Sequence, residues 1–143
     1  MFRGAVAGVA AAAAWAAAEP AATRLCRTPA GYSDVRLLGA LLTRDGPRWR
    51  EAGLAAHLVN GAAFGALFEA AGGRGWKQGV VAAKVENLAL WPGMAAIDRL
   101  HPDRRSGAWP PLLTNPRVFV YEAVVHALFG AVLGSLVRRH PED

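Results

Sequence analysis

The sequence predicts an all-α fold, an integral membrane four-helix bundle, from two observations. First, residues 1–143 contain four long apolar runs, which lie at about 4–22, 51–71, 79–97 and 117–137. Each run approaches the roughly 20 apolar residues with which an α-helix crosses a bilayer. Second, the charged residues are concentrated in the connectors between these runs. We therefore expect a single transmembrane domain in a multi-pass protein of the cell membrane.

The first run consists almost entirely of Ala, Val and Gly, and alanine is only weakly apolar. Two interpretations are open. The run is either a retained transmembrane helix or a signal peptide, in which Arg3 precedes the apolar region and Ala16-Ala17-Ala18 supplies the small residues of a cleavage site. The sequence does not decide whether residues 1–18 are retained.

The basic connector over residues 24–50 contains a second kind of helix. Ser33 is a suitable N-cap for a helix over residues 34–43, and Val35, Leu38 and Leu41 lie on one side of that helix. An amphipathic helix of this kind either lies on the membrane surface or packs against the bundle.

The later connectors predict how the other runs are arranged. The short segment over residues 74–78 predicts that the second and third runs are antiparallel neighbours. Pro92 lies inside the third run, where a missing N–H interrupts a helix. Residues 98–117 contain four prolines and are predicted to be non-helical, and Asn115-Pro116 is typical of a turn before the fourth run.

The formal charge of +5 predicts contact with lipid and not with nucleic acid. The basic residues flank the apolar runs and form no single basic face, so anionic lipid headgroups of the bilayer explain them. The connectors over residues 24–50 and 98–117 hold ten arginines, against five basic residues on the opposite side. That bias favours cytoplasmic connectors and external termini.

The second and fourth runs share a pattern that predicts an internal repeat. The spacing His57, Gly61, Gly65 in one run matches that of His126, Gly130 and Gly134 in the other. Residues four apart lie on one helix face, and such glycines let helices approach closely. We therefore expect these four glycines to line a contact between the second and fourth runs. A weaker match lays Gly4–Leu25 on Gly79–Leu100 and predicts two helical hairpins related by a parallel repeat.

Polar side chains inside the runs are the candidate functional residues, because ionisable groups at membrane depth are costly unless they pair or meet water. The candidates are His57, Asn60, Glu86, Asn87, Glu122, His126 and Glu19. We expect Glu19, His57, Glu122 and His126 to gather in one half of the membrane together with Asp98, and Glu86 and Asn60 to lie nearer its middle. Either the polar groups hold the helices together, or they line a polar cavity or proton path.

Cofactor chemistry has weaker support in the sequence. His57 and His126 could ligate haem or, with carboxylates, a metal ion, but two histidines are a small ligand set, so no cofactor is predicted. Cys26 is the single cysteine, which excludes an intrachain disulfide and a cysteine metal cluster. His101-Pro102-Asp103 matches the tripeptide of J-domain co-chaperones, but a capped turn at the membrane surface explains it more simply.

Residues 52–137 resemble the YagU-type family of small bacterial inner-membrane proteins, whose biochemical activity is not established. The resemblance rests on His57, Asn60, Gly61, Phe64 and Gly65, on Trp76-Lys77-Gln78-Gly79, on Pro92-Gly93-Met94, and on Glu122 with His126. It implies a four-helix membrane fold and supplies no mechanism.

Three classes of function remain open from the sequence. The first is a small transporter or a protein that conducts protons or ions through the polar cluster. The second is a structural or accessory membrane protein, and the third is a membrane enzyme or cofactor carrier that uses His57 and His126. The non-enzymatic classes are favoured, and assembly into a homo-oligomer is left open.

Overall fold

The computed structural model describes residues 2–137, and these residues form an all-α structure. Its long helices are the predicted apolar elements, and two of the three shorter helices lie in the connectors. The helices are α1 (Phe2–Cys26), α2 (Asp34–Thr43), α3 (Trp49–Ala70), α4 (Gly75–Leu90), α5 (Met94–Leu100), α6 (Pro102–Arg105) and α7 (Pro116–Leu136).

Three helical segments in the described part of the chain are long and apolar enough to cross a membrane. They are Phe2–Cys26, Gly75–Leu100 and Pro116–Leu136. Helix α3 has 22 residues, which is also a spanning length, but it carries His57 and Asn60 near its middle and is not one of these three segments.

Local sequence explains where the helices begin and break. The Ser33 hydroxyl accepts a hydrogen bond from the Arg36 amide, so α2 begins at Asp34 with its N-cap in place. Asn115 caps α7 in the same way. Pro92 lies in a 3₁₀ turn, Trp91–Gly93, which separates α4 from α5 within one long apolar segment.

The helices pack side by side in the order α2, α3, α1, α7, α4. Along this row, neighbouring helices are antiparallel. As the residue number increases along one helix, the residue that it contacts on the neighbouring helix has a lower number. The expectation that the second and third runs pack as neighbours is wrong. Helix α3 packs against α1 and α2, whereas α4 packs against α7, so a cleft separates α3 from α4.

The glycine contacts also differ from the sequence prediction, which paired the second run with the fourth. Gly61 and Gly65 meet Gly8 and Gly4 of α1. A Cβ atom on any of these glycines would overlap backbone or Cβ atoms of the facing helix. The spacing therefore identifies the packing face correctly, but the partner is α1, because that helix carries glycines at the matching separation.

The second glycine crossing joins α4 and α7. Gly79 faces Gly130, and Gly134 faces the backbone of Gly75, again with no room for a Cβ atom. Both crossings therefore bring helix backbones into direct contact. A third close contact, between Gly39 and Gly53, seats α2 on the first half of α3. Helix α2 thus packs on the bundle through its buried face.

The connector between α5 and α7 is partly helical, in contrast to the prediction for residues 98–117. His101 caps the short helix α6, and its Nδ1 atom accepts a hydrogen bond from the Asp103 amide. The tripeptide therefore forms a capped turn. Asp98 accepts hydrogen bonds from the amides of Leu112 and Leu113 and from Arg104, so it holds this connector and does not join the polar cluster.

Candidate functional site

A polar cavity of about 170 Å³ lies in the cleft between α3 and α4. Helices α1 and α7 form its floor, and the start of α2 closes one end. Because α3 and α4 do not pack together, the cavity opens sideways between them. A polar cavity of this volume has room for several water molecules.

Six of the seven predicted polar candidates line this cavity. Two come from each of three helices: α3 supplies His57 and Asn60, α4 supplies Glu86 and Asn87, and α7 supplies Glu122 and His126. All except Asn60 and Glu86 are buried. The seventh candidate, Glu19, lies behind the cavity wall and lines a separate groove.

Several of these side chains retain unused hydrogen-bonding capacity. Within residues 2–137, Glu86 forms no hydrogen bond or ion pair, and the amides of Asn60 and Asn87 form no side-chain hydrogen bond. The Nε2 atom of His57 is buried without a partner. Buried polar groups normally find partners, and water completes them where protein does not. The cavity thus presents open donors and acceptors to water or to a small polar solute.

Trp15 of α1 contacts both cavity histidines at the floor. Its ring centroid lies 4.9 Å from that of His57 and 4.6 Å from that of His126, each with edge-to-face geometry. The Nδ1–H group of His126 donates to the Glu122 carbonyl oxygen at 2.7 Å. This bond fixes the proton on Nδ1 in the neutral ring and leaves Nε2 as the acceptor.

Asp34, at the start of α2, connects the cavity to the bundle interior. Its Oδ2 atom accepts hydrogen bonds from Trp15 Nε1 at 3.0 Å and from the Tyr121 hydroxyl at 2.8 Å. The Asp34 amide donates to Glu19 Oε1 at 2.8 Å, and the Tyr121 hydroxyl lies 3.3 Å from the same oxygen. Tyr121 therefore bridges the carboxyl groups of Asp34 and Glu19.

The bridge by Tyr121 has a consequence for protonation. A hydroxyl has one proton to donate, and its oxygen can also accept. Both contacts are hydrogen bonds when one of the two carboxyl groups is protonated and donates to the Tyr121 oxygen. Asp34, Tyr121 and Glu19 thus form an arrangement in which a proton can be held between carboxyl groups.

Glu122 is bound by a second tyrosine, Tyr32, whose ring packs edge-to-face on that of Tyr121 with centroids 5.6 Å apart. The Tyr32 hydroxyl donates a short hydrogen bond to Glu122 Oε1. Tyr32 belongs to the connector between α1 and α2 and is buried. Burial, reinforced by the nearby Glu122 carboxyl, raises the pKa of Tyr32 well above its usual value of 10.0, so the hydroxyl remains a donor.

The sequence did not identify Trp15, Tyr32, Asp34 or Tyr121 as site residues. Asp34 is an ordinary first-turn residue of a capped helix, because an acidic side chain there favours the helix dipole. Tyr32 lies in a connector and Tyr121 near the start of the fourth run, where tyrosine is an ordinary interfacial residue, and Trp15 lies among the alanines of the first run. The available signal was weak: a Trp and a Tyr each lie within four residues of a polar candidate on the same helix, Glu19 for Trp15 and Glu122 for Tyr121.

A larger groove, of about 750 Å³, lies at the connector end of the bundle, where Glu19 and Tyr32 form part of its wall. Arg36 donates two hydrogen bonds of 2.7 Å to Asp103 and forms an ion pair of 2.7 Å with Asp45. The hydrogen bonds from Arg36 lower the pKa of Asp103 below its ordinary value of 3.8. The ion pair between Arg36 and Asp103 fastens α2 to α6 across the groove.

The described residues contain no group of three or more His, Cys, Asp and Glu side chains that could hold a metal ion. The expectation that no haem or metal is bound stays a prediction. Lys84 of α4 is not among the residues that line the cavity, and its Nζ atom donates to the Ala123 carbonyl oxygen of α7 at 2.7 Å. It therefore serves α4–α7 packing.

Comparison of the chain with family models, with curated proteins and with solved structures finds no match. The resemblance to the YagU-type family therefore stays a prediction.

Proposed function

We propose that the chain is a membrane protein that conducts protons through the polar cavity between α3 and α4. Glu86 is the central group, and the cluster of Asp34, Tyr121 and Glu19 connects the cavity to the groove at the connector end. The gap between α3 and α4 is the other entrance. Neither path needs a cofactor.

This proposal includes a fourth transmembrane helix, α3. Its 22 residues correspond to about 33 Å at 1.5 Å per residue, which is enough to cross the hydrocarbon core. It also packs antiparallel to α1, which is a candidate membrane-spanning helix, through two glycine contacts. The polar side chains His57 and Asn60 line the cleft, and this lowers the cost of inserting α3.

The proposed bundle consists of two hairpins, α1 with α3 and α4 with α7. Glycine crossings of the same form support an internal repeat, because Gly61 and Gly65 stand 69 residues before Gly130 and Gly134. Their partners Gly4 and Gly8 stand 71 residues before Gly75 and Gly79. This pairing aligns Gly4 with Gly75, which is one helical turn away from the sequence match of Gly4 with Gly79.

The observation that carries the proposal is the state of Glu86. This carboxyl group lies near the middle of the long apolar segment Gly75–Leu100, lines the cavity and has no hydrogen-bond or ion-pair partner within residues 2–137. A carboxyl group that served only to hold helices together would be paired, as Glu122 and Glu19 are. An unpaired carboxyl group at membrane depth is instead suited to gain and lose protons from water.

The cluster behind the cavity supplies the second part of the path. Asp34 lines the cavity, Glu19 lines the groove, and the Tyr121 hydroxyl contacts both carboxyl groups. A proton can therefore pass from cavity to groove by exchange along Asp34, Tyr121 and Glu19, with no need for a continuous water channel.

Proton flux into proteoliposomes tests the proposal. A potassium gradient with valinomycin sets the membrane potential, and an internal pH dye records the initial rate. Wild-type protein should exceed protein-free vesicles, and Glu86→Gln should lower the added rate by about a hundredfold, the lower range for a group that transfers protons. The matched control is Glu51→Gln, which makes the same chemical change at an exposed position and should leave the flux unchanged.

Two results would reject conduction at this site. Wild-type flux equal to that of empty vesicles would do so, and so would equal flux in the Glu86→Gln variant. A changed melting temperature for Glu86→Gln, without wild-type flux, would instead support the second candidate, a structural membrane protein. The hydrogen bonds that join Asp34, Tyr121 and Glu19 favour that candidate, since they tie α2, α7 and α1 together.

A further inference from the structure

The groove at the connector end has a basic wall that proton conduction does not use. It is bounded by the last turns of α1, the segment over residues 27–33, the starts of α2 and α3, and the segment over residues 103–109. Its volume of about 750 Å³ lies in the range of sites that hold small organic ligands.

Four arginines line this groove, and three of them have no carboxylate partner within residues 2–137. Arg36 is neutralised by Asp103 and Asp45. Arg24, Arg27 and Arg50 are exposed and form no ion pair. The groove therefore keeps a concentrated positive charge, which fits an anion.

The position of the groove indicates the source of the anion. It lies at the end of α1, a candidate membrane-spanning helix. Trp49 and Trp109 line it, and tryptophan is enriched at the level of the lipid headgroups. Guanidinium groups at this level meet the phosphates of the membrane and bind them through paired hydrogen bonds.

We propose that this groove binds the phosphate headgroup of an anionic phospholipid, with Arg24, Arg27 and Arg50 as the contacting residues. Arg36 forms the rear wall through its ion pair with Asp103. This inference stands apart from proton conduction, because none of the three contacting arginines belongs to the cavity or to the Asp34 cluster.

The test is the thermal stability of the full-length protein in neutral detergent, titrated with phosphatidylglycerol, phosphatidylcholine or inorganic phosphate. Phosphatidylglycerol should raise the melting temperature of the wild type, and the other two should not. Each arginine near an anionic surface contributes roughly a fivefold preference, so the triple variant Arg24→Gln, Arg27→Gln, Arg50→Gln should bind phosphatidylglycerol about a hundredfold more weakly.

The matched control is the triple variant Arg48→Gln, Arg99→Gln, Arg117→Gln, which loses the same charge from exposed positions outside the groove, in the connectors over residues 24–50 and 98–117. It should keep the wild-type response. The single variant Arg50→Gln should weaken phosphatidylglycerol binding about fivefold. It replaces the triple variant of the groove arginines as the test if that triple variant does not fold. Equal losses in both triples would overturn the proposal, as would an equal response to phosphatidylcholine or to inorganic phosphate.

Discussion

The Tyr121 hydroxyl of α7 donates a hydrogen bond to the Asp34 carboxylate of α2 across 2.8 Å. Tyr121 is completely buried, whereas Asp34 belongs to a short helix that precedes α3. This contact brings an acidic residue of a connector against the interior of the bundle. The start of α2 therefore closes one end of the polar cavity, and Tyr121 links Asp34, which lines the cavity, to Glu19, which lines the groove.

Tyr121→Phe removes the hydroxyl that bridges Asp34 and Glu19. We expect proton flux to fall to a small fraction of the wild-type rate, because the two carboxyl groups then share no donor. The loss of the hydrogen bond should also lower the free energy of unfolding by about 1–2 kcal/mol. Proteoliposome flux and a detergent melting curve measure the two effects.

The comparison variant for Tyr121→Phe is Tyr32→Phe. It also removes a buried tyrosine hydroxyl, but the lost partner is Glu122, and the link from Asp34 to Glu19 stays intact. It should cost similar stability and keep most of the flux. Equal flux in the two variants would show that protons do not pass through Tyr121.

Gly8→Leu should separate α1 from α3. A Cβ atom at Gly8 would overlap the Gly61 carbonyl, and backbone atoms cannot rotate away as a side chain can. We expect a loss of about 1–3 kcal/mol or more in detergent, the range for overpacked cores. Ala10→Leu adds a Leu side chain to an exposed position of the same helix and should change little. Unchanged melting of Gly8→Leu would contradict the glycine crossing.

The ion pair between Arg36 and Asp103 should make stability depend on acidity. Arg36 lowers the pKa of Asp103 below 3.8 in the folded protein, so the stabilisation is present above pH 3.8. It is lost as the pH falls through the lower pKa of the folded state. Asp103→Asn should therefore be less stable at neutral pH, and its stability should fall less than that of the wild type between about pH 4 and pH 2. Parallel pH profiles would contradict this role.

The sequence predicts which polar residues lie inside the bundle better than it predicts their partners. Glu86, Glu122 and His126 can be selected because ionisable groups in apolar runs are costly wherever they face lipid, and the structure places all three at one cavity. Their role in conduction stays a prediction. The all-α fold follows from the lengths of the apolar runs and is confirmed.

Contacts between helices cannot be deduced in the same way. The spacing of Gly61 and Gly65 defines a flat helix face, but any helix with a matching face could pack there, and α1 rather than α7 does so. Because α3 packs on α1 and not on α4, a cleft is left between α3 and α4, and this cleft could not be predicted from the sequence. The sequence did not identify Asp34 as a site residue, because its position in the first turn of α2 already explains an acidic side chain. Its contact with the cluster forms only when α2 packs on α3 and brings Asp34 within hydrogen-bond distance of Tyr121.

Proton conduction through the cleft requires water at Glu86 inside the membrane, and cysteine reactivity measures this directly. In a Cys26→Ser background, Glu86→Cys and Val85→Cys place a thiol on the cavity side and on the outer side of α4. Val85 is 61% exposed, more than Glu86, so it is the more accessible position unless lipid covers it.

In membrane vesicles, Glu86→Cys should react with a small charged thiol reagent at least about tenfold faster than Val85→Cys, because the reactive thiolate forms only in contact with water. After unfolding in strong detergent, the two thiols should react at equal rates. Equal or faster labelling of Val85→Cys in intact vesicles would contradict a water-filled cavity at Glu86 and, with it, proton conduction by this cleft.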